Sequence, residues 1–176
     1  MTMEKIAASM ERVSAALTRK PHAGLHDDTP ATVRWAGGLR TLARSETGSE
    51  LATDMPAAIG GDDPAPTPGW LLRTALASCA VTRIAMEAAA RGIKLATLEA
   101  HATSRSDLRG LVGVAAPDGS AVPAGPLAMD LTVLIGAPGV DADTLRALVA
   151  STTDCSPVTC AMEQALAVGL HVEVGS

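Results

Sequence analysis

The sequence predicts an α+β domain built around one long apolar helix, and three observations carry that prediction. Short extended segments separated by glycine turns cluster near the N-terminus. Leu71 to Arg91 is an uninterrupted helical stretch rich in apolar residues. The strands and the helix pair that follow lack the regular alternation of a doubly wound sheet. With 176 residues, 47% of them apolar, the chain suits one compact domain with a real core and leaves no room for two independent ones. Residues 1–30 read as an N-terminal helix and connector, and 31–176 as the body of that single domain.

Taken in order, Ala7 to Thr18 carries Met10, Val13, Ala16 and Leu17 at helical spacing with charges between them, an amphipathic helix that ends before Lys20-Pro21. Pro21 to Pro30 is a polar connector. Thr32 to Trp35, Thr41 to Ala43 and Glu50 to Thr53 are short strands set apart by Gly37-Gly38 and Glu46-Thr47-Gly48, the pattern of an antiparallel meander. Asp54 to Pro68 holds four prolines and Gly60-Gly61, so it is a long loop leading into the apolar helix.

After Gly92, Lys94 to Thr103 alternates Leu98, Ala100 and Ala102 against polar positions, and Met129, Leu131, Val133 and Ile135 alternate more cleanly still, so both read as strands. Between them lies a Gly-, Pro- and Ala-rich segment in which Leu111 to Val114 is the extended candidate. Asp141 caps a helix running to about Thr152, with Leu145, Leu148 and Val149 on one side. Ser156-Pro157 opens another helix, serine as its cap and proline in its first turn, with Met162, Ala165 and Leu166 as the inner face. Leu170 to Val174 alternates as a closing strand. The long helix is apolar around most of its circumference, more than one sheet can cover, and a second copy of the chain is the expected lid.

Composition excludes several functions. Aromatics are limited to Trp35 and Trp70, which leaves no platform for stacking bases, and a net charge of −5 without a Lys/Arg run argues against a nucleic-acid partner. The longest apolar run, Leu71 to Ala90, contains Arg73, Arg83 and Glu87 and reads as a helix buried in protein rather than a membrane span. Met1 to Lys20 carries Glu4, Lys5, Glu11 and Arg12 where a signal peptide would be apolar, so the expected location is cytoplasmic. His22, His26, Asp27 and Asp28 are read as loop residues rather than metal ligands, and neither metal nor cofactor is expected.

The chemistry rests on three cysteines, Cys79, Cys155 and Cys160. Three thiols in a cytosolic chain do not make a structural disulfide framework, and a bridge among them would be transient and redox-active. A cysteine in an apolar helix is ordinarily a packing residue, unless a guanidinium or a second thiol is brought to it. Arg83 stands one turn beyond Cys79, where it serves equally as a surface charge. Cys155 and Cys160 flank the start of the Ser156-Pro157 helix, whose dipole favours a thiolate, so either is a possible partner for Cys79.

Pro66-Thr67-Pro68-Gly69-Trp70-Leu71-Leu72 through Ala75-Leu76-Ala77-Ser78-Cys79, followed by Arg91-Gly92-Ile93, resembles the first cysteine motif of the OsmC/Ohr family. Cys155-Ser156-Pro157-Val158 leading to Leu170-His171-Val172-Glu173-Val174 resembles its C-terminal motif, and Trp35 to Arg40 extends the likeness. The resemblance implies an intertwined α+β homodimer with a long buried central helix and antiparallel sheets. Its activity would be thiol-dependent reduction of organic hydroperoxides or peroxide in oxidative stress defence. Cys79 would be the peroxidatic residue, Cys155 the resolving thiol with Cys160 in reserve, and a thiol or dithiol the reductant. An arginine from the N-terminal strands completes the family's site; Arg40 is the nearest match, with Arg34 and Arg44 beside it. Two positions depart from the pattern. Aligning the proline places the family's second cysteine on Ser156, and Gly69 stands where the organic-hydroperoxide subgroup carries a glutamate. The alternative is a non-catalytic protein that holds a hydrophobic ligand in an interface cavity around Trp70 and Cys79.

Overall fold

The structure, a computed structural model, describes residues 2–62, 64–164 and 166–175. Thr2 accepts a hydrogen bond from the Lys5 amide and starts α1 (Met3–Arg19), which extends past the predicted helix at both ends and stops before Pro21. The strands β1 (Thr32–Trp35), β2 (Thr41–Arg44) and β3 (Glu50–Thr53) form an antiparallel sheet in that order, as the glycine-punctuated meander predicts. The loop that follows is pinned by Asp54, whose buried carboxylate accepts from the amides of Met55 and Asp62. Gly61 is required there, because a Cβ would fall 1.8 Å from the Met55 carbonyl oxygen.

Thr67 and Pro68 then launch the long helix α2 (Pro68–Ala90), Thr67 Oγ1 accepting from the Trp70 amide at 3.1 Å and Pro68 filling a first-turn position that needs no donor. Leu76, Ala80, Ile84 and Ala88 recur every fourth residue and form its buried stripe. Strands β4 (Thr97–Arg105) and β5 (Ala128–Gly136) pair antiparallel, with Leu98 opposite Ile135 and Ala100 opposite Val133. The core gathers around Ile84, Ala88 and Leu148, joined by Leu98, Val133, Ile135, Val149 and, from α1, Met3. Leu148 comes from α4 (Ala142–Ala150), which Asp141 caps as expected. The last helix is α5 (Pro157–Glu163). Helix α2 therefore packs on α1, β4, α4 and α5, and mixed helices and antiparallel sheets make an α+β fold.

Two expectations change. Leu111 to Val114 is not extended: the short helix α3 (Leu108–Val112) forms because the Asp107 carboxylate caps the Arg109 amide and Gly113, at φ 72°, ends the turn. Leu170 to Val174 is irregular, with Leu170, Val172 and Val174 at 85%, 75% and 93% exposure, because a strand needs a paired edge and none reaches it among the described residues. Within the single chain the buried residues of α2 lie mainly along one stripe, and Trp70 and Leu72 are 48% and 38% exposed. Of the inner face expected for α5, Met162 is partly buried and Leu166 exposed, and Ala165 lies outside the described residues. No described helix is long and apolar enough to cross a membrane.

Candidate functional site

Cys79 sits in the middle of α2, half-buried, beside the buried stripe that runs through Leu76 and Ala80. The helix carries its thiol toward the start of α5, where Ser156 Oγ lies 3.3 Å from Cys79 Sγ. Ser156 is only 2% exposed and extended (φ −92°, ψ 106°), the ordinary backbone of a residue that precedes a helix. It occupies the cap position that the sequence predicts, yet its side chain makes no capping hydrogen bond. Its hydroxyl is instead committed to the thiol on one side and to Thr159 Oγ1, 2.9 Å away, on the other. Thr159, Ser156 and Cys79 thus form a short polar chain in which Thr159 donates to Ser156 and Ser156 donates to the sulfur.

The other two cysteines are placed differently. Cys155 ends the 3-10 turn Thr153–Cys155 and is exposed, whereas the adjacent Ser156 is buried. Cys160 directs Sγ at the Asp154 carbonyl oxygen, 3.4 Å away. All three cysteines are free thiols. Arg40 belongs to the turn between β1 and β2, where its amide donates to the Gly37 carbonyl, and it is exposed. Of its two alignment neighbours, Arg44 is engaged by Glu50 at 2.8 Å and Arg34 is exposed on β1. Arg83, one turn past Cys79, has a buried Nε with no hydrogen-bond partner among the described residues. The structure thus brings Ser156 to Cys79, and sets Cys155, Cys160 and Arg40 on other contacts.

A half-open cavity of about 610 Å³ lies between α2, β5 and α5. Leu76, Ala80, Met129, Leu131 and Met162 give it apolar walls, and Ser156 and Thr159 contribute its polar edge. A shallower recess on the other side of α2 is bounded by Trp70, Arg73 and His101, with Arg73 Nη1 donating to Ser104 Oγ at 3.1 Å. Gly69 has open space, for a Cβ there would be 3.8 Å from Arg73 Nη1. Thr159 was not singled out from the sequence. Its signal is its spacing, three residues after a cap-position serine, where a hydroxyl can reach back to the cap. Among the described residues no group of three or more His, Cys, Asp or Glu side chains is gathered to hold a metal.

The sequence matches the family model for OsmC-like protein over residues 60–171. Among solved structures, a candidate osmotic stress induced and detoxification response protein of Psychrobacter arcticus is 27% identical, with a TM-score of 0.57 over 78% of this chain and 90% of that one. An OsmC-like protein of Mycoplasma pneumoniae is 15% identical, with a TM-score of 0.62 over 80% of this chain and 91% of its own. The organic hydroperoxide resistance protein OsmC of Legionella pneumophila is 20% identical, with a TM-score of 0.56 over 78% and 90%. No curated protein matches the chain.

Proposed function

The chain belongs to the OsmC-like family, and from that premise we propose that it is a thiol-dependent peroxidase that reduces organic hydroperoxides at Cys79. The observation that carries this reading is a half-buried thiol, in the position of the family's first cysteine, held by a buried hydroxyl at the edge of an apolar cavity. The Cys79 thiolate attacks one oxygen of the hydroperoxide, the O–O bond breaks, and the alkoxide leaves and takes a proton to become the alcohol. Cys79 is left as a sulfenic acid, which a thiol reductant returns to the thiol.

The working form under this proposal is a homodimer. The β1–β2–β3 sheet packs chiefly on itself, and Val33, Trp35 and Leu51 on it are exposed. Under the proposal Arg40, exposed in the turn between β1 and β2, is the guanidinium that a partner's sheet brings to Cys79 to stabilise the thiolate and the leaving oxygen. The cavity favours a second reading in which the same apolar space holds a hydrophobic ligand without chemistry.

Thiol titration before and after stoichiometric cumene hydroperoxide separates the two. Consumption of thiol with formation of cumyl alcohol, both abolished by Cys79→Ser, is the expected result. Unchanged thiols together with saturable binding of an apolar probe would overturn the peroxidase in favour of the binding protein.

A further inference from the structure

In a peroxidase that uses two cysteines, the second thiol must reach the sulfur of the first. The group that reaches Cys79 here is the Ser156 hydroxyl at 3.3 Å. Serine cannot form a disulfide, and its hydroxyl stands beside Cys79 Sγ where a second sulfur would have to come. The neighbouring Cys155 is exposed while Ser156 is 2% exposed, so turning Cys155 inward would take the buried hydroxyl and its Thr159 contact outward. Cys160 sits one helical turn beyond the cap, about 6 Å along the axis, with Sγ engaged at the Asp154 carbonyl. The cavity whose edge Ser156 forms is open on one side and large enough for a small molecule, not for a folded reductase domain.

We propose that the Cys79 sulfenic acid is resolved by a small exogenous monothiol rather than by a second cysteine of this chain, with Ser156 holding the sulfur and no disulfide formed within the chain. The inference rests on the peroxidase reading above and names its reductant. In the first step the monothiol sulfur attacks Cys79 Sγ, the S–O bond breaks, and the oxygen leaves as water with the thiol proton. This forms a mixed disulfide between Cys79 and the small thiol. In the second, another monothiol attacks the outer sulfur of that disulfide, the Cys79 thiolate departs, and the small thiol is released as its own symmetrical disulfide. Two electrons taken by the hydroperoxide are thereby returned by two monothiols.

The test combines thiol titration and intact-mass analysis of the full chain after stoichiometric cumene hydroperoxide, with mercaptoethanol as the probe thiol. Three outcomes are distinct. One thiol lost per chain, a dimedone adduct on Cys79, and a mercaptoethanol adduct at Cys79 on adding the monothiol support the proposal. Two thiols lost, with a mass lower by two hydrogens and a disulfide from Cys79 to Cys155 or Cys160, overturn it while leaving the peroxidase intact. No thiol lost and no dimedone adduct sink the peroxidase itself. The Cys155→Ser, Cys160→Ser double variant is expected to keep monothiol-dependent turnover within about twofold of wild type, and a larger loss counts against the proposal. Ser156→Cys is expected to do the opposite of wild type: two thiols lost and no mercaptoethanol adduct. If that variant still loses only one, Ser156 does not face the reacting sulfur and the geometry claimed for it is wrong.

Discussion

Around α2, the side chains of Ile84, Ala88 and Leu148 are sealed at 1%, 0% and 0% exposure, whereas Val33 and Trp35 on β1 and Leu170 in the C-terminal segment stand at 57%, 77% and 85%. Both regions carry core-like residues. They differ in what covers them: α1, β4, α4 and α5 close over one side of α2, and nothing of comparable extent closes over the β1–β3 sheet or the residues after Gln164 among those described. The first region is a finished core, and under the proposal the second is completed by a second copy of the chain.

The largest expected effect breaks the finished side of this comparison. Leu148→Ala removes a fully buried side chain from the centre of the core and should destabilise the fold by about 2–5 kcal/mol in urea unfolding. A cost near that of a surface substitution would mean that α4 is not part of the core. The next tests the unfinished side. Val33→Asp combined with Leu51→Asp, both at exposed positions, should weaken self-association at least about tenfold, or 1.4 kcal/mol, in sedimentation equilibrium, with little change in the far-UV spectrum. A wild-type chain that stays monomeric at every concentration would remove the dimer from the proposal.

A smaller effect sharpens how the active helix is anchored. Thr67→Ala removes the hydroxyl that accepts from the Trp70 amide and should cost about 1 kcal/mol in thermal unfolding, with Thr67→Ser recovering most of it. The smallest concerns α4. The Asp141 carboxyl is held below its ordinary range by the Thr144 amide, and then by the Thr144 hydroxyl. A carboxylate with a lowered folded-state value contributes stability that is present above the ordinary carboxylate range and lost as pH falls through the folded value. The difference in Tm between wild type and Asp141→Asn should therefore shrink on acidification. A difference that is constant with pH would show that the cap does not act through its charge.

Much of the fold was legible in advance because local signals pointed the same way. Asp141 before α4 and Pro157 at the start of α5 are capping chemistry that acts within one helical turn, whereas α2 starts at Pro68, three residues before the predicted Leu71, because Thr67 caps it. The alternation in β4 shows directly in the burial of Leu98, Ala100 and Ala102, and β5 keeps it at Met129, Val133 and Ile135 but not at Leu131, which is 37% exposed. The failures share a cause. Leu170 to Val174 has the pattern of a strand, but a pattern specifies two faces and cannot supply the neighbouring edge. Leu111 and Val112 looked extended until a cap at Asp107 and a left-handed Gly113 made a single helical turn cheaper to form than a strand without a partner.

For the site the division is sharper. The sequence by itself determined that Cys79 lies in mid-helix and that a serine followed by a proline opens α5, since each follows from residue type and near-neighbour spacing. Only the tertiary structure decided that the group against the Cys79 sulfur is the hydroxyl of Ser156, 77 positions away along the chain, and that this serine leaves its capping role to do so. Local propensity acts over a turn of helix or a pair of strand residues. Contact across that separation depends on how α2 packs against α4 and α5, which no segment specifies alone.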